Sequence, residues 1–83
     1  MTFAVIWEPT ALDAATRFLA DDRDGLRTLF EAVDELADDP DAAASVALGA
    51  PDLRRLRIGR YRAVYEVDRS EHVVRVRHLG RRG

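Results

Sequence analysis

Arginine is the residue type whose number and position most suggest chemistry in this sequence. The chain has 83 residues, and all thirteen of its basic side chains are arginines, ten of which lie after residue 52. A planar guanidinium keeps its charge at any ordinary pH and can donate two parallel hydrogen bonds to a phosphate group. His78 lies in the same segment, and imidazole is well suited to proton transfer near neutral pH. These residue types predict a phosphate-binding surface with one candidate acid–base group.

The net charge of −2 conceals a strong asymmetry between the two parts of the chain. Residues 1–52 carry three basic and twelve acidic side chains, a balance of −9. Residues 53–83 carry ten basic and three acidic side chains, a balance of +7. Such asymmetry is typical of a protein that presents one face to a polyanion. The near-neutral total therefore does not exclude nucleic acid as a partner.

The first half of the chain predicts one strand followed by two helices. Residues 3–8 are rich in β-branched and aromatic types and predict a strand. Pro9 favours the start of a helix that ends near Ala20, because the N–H that proline lacks would be unpaired there. Asp22 or Asp24 can cap a second helix, which ends before Pro40.

The second half predicts a sheet, because the spacing of its apolar residues changes to every second position. Residues 40–52 are small and Ala-rich, and we expect an irregular linker there. Three strands follow: Leu53–Ile58, Tyr61–Val67 and His72–Leu79. With the first strand, they predict a single α+β domain over residues 1–83 in the order β-α-α-β-β-β. Its sheet is four-stranded and mainly antiparallel, with the helical hairpin on one face and the other face open.

Alternation along the three later strands sorts their arginines onto the open face. Arg55 and Arg57 come from the first of these strands, Arg62 from the second, and Arg75 and Arg77 from the third. A face charged only for solubility is the alternative interpretation, but such a surface usually mixes both signs of charge. Few acidic residues lie among these positions, so we favour an anion-binding face.

The same alternation separates the aromatic residues from the arginines. Tyr61 and Tyr65 fall on the helix-covered side and are expected in the core. His78 falls with Val74 and Val76 on that side too, which favours a packed histidine over a catalytic one.

The last third of the chain resembles the RelE/ParE superfamily of toxins from bacterial type II toxin–antitoxin systems, on its RelE-like branch. The resemblance rests on residues 56–67, which read L-R-x-G-x-Y-R-x-V-Y-x-V, and on the H-L-G-R-R run at residues 78–82. It implies the RelE-like fold and a ribosome-dependent endoribonuclease that cuts mRNA in the A site and inhibits translation. The implied reaction uses no metal and no cofactor: the substrate 2′-hydroxyl attacks the adjacent phosphate, leaving a cyclic phosphate and a 5′-hydroxyl.

The resemblance also implies site residues. The arginine of the family's Y-R pair falls on Arg62, its C-terminal arginine on Arg82, and one basic residue of its second strand on Arg55, so these three are the expected catalytic residues. His78 is the candidate acid–base group. The expected RNA-binding arginines are Arg54, Arg57, Arg60, Arg75, Arg77 and Arg81.

Partners and alternatives follow from the same resemblance. The expected partners are a cognate antitoxin and a ribosome with mRNA in its A site. A ParE-like inhibitor of DNA gyrase is the first alternative. A catalytically weakened toxin that mainly binds its antitoxin is the second, because the sequence ends at Gly83, before the tyrosine or histidine that the family's ribonucleases use. The sequence has no cysteine, no signal-peptide pattern and no membrane-spanning run, so we expect a cytoplasmic protein without disulfides.

Overall fold

The computed structural model describes residues 2–82 and contains two helices and five strands. In chain order the elements are β1 (Ala4–Trp7), α1 (Pro9–Leu19), α2 (Arg23–Glu35), β2 (Ser45–Leu48), β3 (Ala50–Ile58), β4 (Tyr61–Asp68) and β5 (Val73–Arg81). The α+β class is confirmed. Met1 and Gly83 lie outside the described residues, so a single domain over residues 1–83 stays a prediction.

The five strands form one sheet in the order β1-β5-β4-β3-β2. β1 pairs parallel with β5, and the other three pairings are antiparallel. The expectation of a mainly antiparallel sheet is confirmed. The helices cover one face, where their apolar side chains join those of the central strands in one buried cluster. Neither helix within residues 2–82 combines the length and the apolar content needed to cross a bilayer.

A carboxylate at the start of α2 links the helical hairpin to the sheet. Asp22 is the N-cap of α2, and its Oδ1 accepts a hydrogen bond from the Gly25 N–H at 3.1 Å. Its Oδ2 accepts a hydrogen bond of 2.6 Å from the Tyr61 hydroxyl at the start of β4. Tyr61 and Tyr65 are both buried, as the alternation predicted. The Tyr65 hydroxyl donates to the Pro40 carbonyl at 2.6 Å, which ties the segment after α2 to the core.

The predicted strand count is wrong by one, because the expected linker contains β2. Ser45–Leu48 pairs with β3 through a tight turn at Gly49, whose φ of 81° suits glycine. Ser45 is buried, and its hydroxyl donates to the Ala42 carbonyl at 2.7 Å. The Arg54 Nε in turn donates to the Ser45 hydroxyl at 2.9 Å. Pairing with β3 and this local hydrogen-bond network stabilise β2 as a strand, although its small side chains do not predict one.

A β-bulge in β5 overturns the predicted orientation of His78. The β4–β5 register pairs Val64 with His78 but Tyr65 with Val76, so Arg77 is an extra residue without a partner in β4. Such an insertion reverses the alternation beyond it. Arg77 and His78 are therefore both exposed, and Leu79 takes the buried position instead.

Candidate functional site

Basic side chains from three adjacent strands meet on the open face of the sheet. We call them the open-face cluster: Arg55, Arg57, Arg62 and His78. Beside them is a shallow depression of about 210 Å³, lined by Arg55, Arg62, Val64, His78 and Gly80. The position of the cluster follows from the pairing register, which aligns β3, β4 and β5 side by side.

One row of the cluster crosses the sheet through Val64. Arg55 lies opposite Val64 on one side, and His78 lies opposite it on the other. The Nε of Arg55 is buried and has no hydrogen-bond partner among residues 2–82. An unsatisfied buried donor costs about 1–3 kcal/mol. An anionic ligand oxygen that accepted this hydrogen bond would remove that cost.

The next row places two positive charges opposite each other. Arg57 and Arg62 are direct cross-strand partners, a pairing that like charges make unfavourable. Both side chains are exposed, and neither forms an ion pair with a carboxylate among residues 2–82. Conflicts of this kind between local energetics and the fold are expected at functional sites. A bound phosphate would neutralise the charge that the protein leaves uncompensated.

Gly80 keeps the depression open next to His78. It lies opposite Arg62 in the β4–β5 register. A Cβ at position 80 would lie 3.7 Å from the His78 Nε2, so a larger side chain would occupy the space beside that nitrogen. A neutral imidazole has one nitrogen that donates and one that accepts, so His78 can take or give a proton here.

The opposite end of the open face is electrically neutral. Arg77 donates from Nη1 to the Glu8 Oε1 at 2.8 Å and from Nε to the Glu66 Oε1 at 3.1 Å. Hydrogen bonding to Glu66 and the charges of both carboxylates raise the pKa of Arg77. Arg75, half-buried, lies opposite Glu66 in the register. The uncompensated positive charge is therefore concentrated around Arg57 and Arg62.

Besides Arg75 and Arg77, three more of the predicted RNA-binding arginines lie away from the cluster. Arg54 is opposite the buried Tyr65, on the helix side, where it binds Ser45. Arg60 lies in the β3–β4 turn, and its Nη2 donates to the Asp22 Oδ2 at 3.4 Å. Arg81 is opposite Tyr61, also on the helix side.

The two arginines near the end of β5 differ in their surroundings. The Arg81 Nη1 donates to the Asp21 Oδ1 at 2.8 Å, and its guanidinium lies 4.5 Å from the centre of the Phe18 ring. This hydrogen bond lowers the pKa of Asp21 and raises that of Arg81. Arg82 is exposed, and its backbone N–H donates to the Arg60 carbonyl at 2.7 Å. Arg82 directly follows the last residue of β5.

Sequence reasoning did not place Val64 and Gly80 in the site or His78 on the open face. A signal for the bulge was present, because the apolar positions Val76 and Leu79 are three residues apart in a strand that otherwise alternates. Within residues 2–82, no group of three His, Asp or Glu side chains is arranged to hold a metal ion. The arrangement can bind a phosphate, neutralise its charge and exchange one proton beside it.

A comparison with known protein families identifies the family to which this chain belongs. The family described as the ParE toxin of the type II toxin–antitoxin system, parDE, matches residues 5–83. This chain belongs to that toxin family. A search of curated proteins finds no match to the toxin.

Solved structures share the toxin's fold over its whole length. RelE in the archaeal RelE–RelB complex from Pyrococcus horikoshii OT3 superimposes with a TM-score of 0.84 at 27% identity, covering 100% of the toxin and 98% of that chain. RelE in the intact Escherichia coli RelBE complex gives 0.76 at 26% identity, covering 98% of each chain. In the chromosomal ParDE system of P. aeruginosa, a chain with 16% identity gives 0.73, covering 99% of the toxin and 98% of that chain, which shows the fold alone. The RelE-like fold is confirmed.

Proposed function

We propose that this toxin is an mRNA endoribonuclease that cuts in the ribosomal A site. The observation that carries the proposal is the open-face cluster, where uncompensated arginines surround a depression beside an exposed histidine. RelE structures at 26–27% identity add support. A ribosomal target would place the toxin in the cytoplasm.

The proposed reaction is a transfer within the substrate. The RNA 2′-hydroxyl oxygen bonds to the adjacent phosphorus, and the bond from phosphorus to the 5′ oxygen breaks. The 2′-hydroxyl loses its proton and the leaving oxygen gains one, which gives a 2′,3′-cyclic phosphate and a 5′-hydroxyl. No metal ion or cofactor takes part in the proposed step.

Each residue of the site has a distinct task in this proposal. Arg55 and Arg62 donate to the phosphate oxygens and stabilise the charge that builds up in the transition state. Arg82, which directly follows β5, binds the RNA backbone at the edge of the site. His78 transfers a proton, because an arginine keeps its protons at any ordinary pH and cannot do so.

The decisive assay is cleavage of mRNA on programmed ribosomes with purified toxin. We expect Arg62→Ala to reduce the cleavage rate by about 10²–10³-fold, the usual effect of removing a transition-state donor. Arg69→Ala is the matched control, since Arg69 is paired with Asp41 and Asp52 and lies outside the cluster. A 2′-deoxy nucleotide at the cleavage site should block the reaction, because the nucleophile is then missing. Cleavage of that substrate, or an Arg62→Ala variant as active as the wild type, would exclude the proposal.

Inhibition of DNA gyrase is the second candidate function, favoured by the match to the ParE family. A supercoiling assay with purified gyrase separates the two. Toxin that leaves programmed ribosomes intact but inhibits supercoiling would establish the ParE-like function. Toxin inactive in both assays that still binds its antitoxin would be a weakened toxin.

A cognate antitoxin is the proposed resting partner, since several of the similar structures are toxin–antitoxin complexes. An acidic segment would complement the open-face cluster. We expect its affinity to fall as salt is raised, and to fall further in Arg62→Ala than in Arg69→Ala.

A further inference from the structure

The β-bulge in β5 determines which side chain faces the candidate site. Before the bulge, Val74 and Val76 occupy buried positions, and after it Leu79 does. Without the extra residue, strict alternation would carry His78 onto the buried side with the two valines. The bulge is therefore a requirement for the site and not a defect of the strand.

Arg77, the extra residue, is bound by carboxylates from two other elements. Glu8 lies between β1 and α1, and its backbone N–H donates to the Val76 carbonyl at 2.9 Å. Glu66 lies on β4 and accepts from both the Nε and the Nη2 of Arg77. The guanidinium thus links the β1–α1 junction to β4 across β5. Lysine could not form the same links, because it lacks the planar fork.

These contacts also leave Arg77 outside the site. Its side chain is directed toward Glu8 and Glu66, and the depression beside His78 is lined without it. We propose that Arg77 is a positioning residue, whose links to Glu8 and Glu66 hold the bulge so that His78 faces the open-face cluster. It is not an RNA contact in this scheme. The inference rests on the proposed function only for the task of His78 in proton transfer.

The first test measures the position of His78 without any activity. In NMR spectra of the full chain, the ring protons of His78 should show nuclear Overhauser effects to the methyl groups of Val64, its partner in the register. We expect Arg77→Met to weaken them at least fivefold. Arg69→Met is the matched control, because Arg69 also binds two carboxylates and is 46% exposed against 45% for Arg77. It should leave the effects unchanged.

The second test measures cleavage on programmed ribosomes. We expect Arg77→Met to lower kcat about tenfold with KM within twofold of wild type, because the arginines that bind phosphate stay in place. Arg77→Lys should restore only part of the rate. If Arg77→Met does not fold, the Glu8→Gln and Glu66→Gln pair removes both carboxylate charges that Arg77 binds, with little change of shape, and the same losses are expected.

The outcomes separate this inference from the proposed function. Wild-type toxin that does not cut mRNA refutes the proposed function, and the NMR comparison still decides the role of Arg77. Unchanged effects between His78 and Val64 in Arg77→Met would overturn the inference. An equal loss in Arg69→Met would overturn it too, because the loss would then reflect general stability.

Discussion

Replacing Arg55 with methionine should stabilise the toxin while removing its function. The substitution keeps an unbranched side chain of similar length but removes the guanidinium. It also removes the buried Nε that has no hydrogen-bond partner among residues 2–82. A residue that lowers the stability of the fold is expected in a functional site, because activity and stability can require different side chains there.

The size of the effect follows from the surroundings of Arg55. The unsatisfied Nε costs about 1–3 kcal/mol. Reducing the repulsion with Arg57 and Arg62 contributes about 0.2–1 kcal/mol more. The substitution also removes the favourable hydration of the guanidinium, which offsets part of this gain. We therefore expect a net increase of about 1–2 kcal/mol in the free energy of unfolding. For a domain of this size that raises Tm by about 4–8 °C per kcal/mol.

Arg54→Met is the matched control, one position earlier on β3. The Arg54 Nε donates to the Ser45 hydroxyl at 2.9 Å, and its Nη1 donates to the Pro51 carbonyl at 3.3 Å. Loss of these bonds leaves groups near the buried Ser45 without a donor, so we expect a loss of about 1–2 kcal/mol. The same substitution to methionine should therefore raise the free energy of unfolding at Arg55 and lower it at Arg54.

Urea unfolding followed by circular dichroism measures both variants, and the ribosome assay measures their activity. The expected result is a higher urea midpoint and greatly reduced cleavage for Arg55→Met, and a lower midpoint for Arg54→Met. If Arg55→Met lowered the free energy of unfolding by 1 kcal/mol or more, Arg55 would be a structural residue. The assignment of its unpartnered Nε to a ligand would then be wrong.

Two further predictions concern the hairpin attachment and the depression. The pKa of Asp22 is held below its usual value, first by the Tyr61 hydroxyl and next by the Gly25 N–H. The carboxylate of Asp22 therefore contributes fully to the free energy of unfolding above about pH 4, and this contribution is lost as the pH falls through the lowered pKa. Tyr61→Phe should therefore make unfolding depend less on pH below about pH 4, measured by acid titration of circular dichroism; an unchanged acid profile would contradict this. Gly80→Val should change Tm by no more than a few degrees but reduce the cleavage rate at least tenfold, because the valine side chain would enter the space beside the His78 Nε2. Full activity would show that the depression is not the site.

Helix and strand types were predictable because they depend on local spacing. An N-cap at Asp22 or Asp24, the buried pair Tyr61 and Tyr65, and the open arginine face all follow from residues close together in the sequence. The structure selects Asp22 as the N-cap. β2 was not predictable in the same way. Its side chains are small and weakly patterned, and the strand exists because β3 supplies hydrogen-bond partners and Ser45 is buried beneath it.

The site was only partly predictable, since its members depend on pairing between strands. Alternation identified Arg55, Arg57 and Arg62 but could not show that Arg57 and Arg62 lie opposite each other. Alternation also could not distinguish these three arginines, which form no ion pair among residues 2–82, from Arg60 and Arg81. Those two are neutralised by aspartates that lie about forty and sixty residues earlier in the chain.

The sequence by itself determined the α+β class, the helical hairpin, the central strands and the positive charge of the open face, because local periodicity and charge are properties of neighbouring residues. The tertiary structure decided which basic groups meet and which way His78 points. Leu79 lies opposite Ala63, and both are buried. Burial of a leucine stabilises the fold by about 1.5–3 kcal/mol, whereas an imidazole at that position would need a hydrogen-bond partner. Packing of Leu79 against β4 and the helices therefore favours the register that contains the bulge. In our proposal, the links of Arg77 to Glu8 and Glu66 hold that bulge in the form that turns His78 toward the arginines.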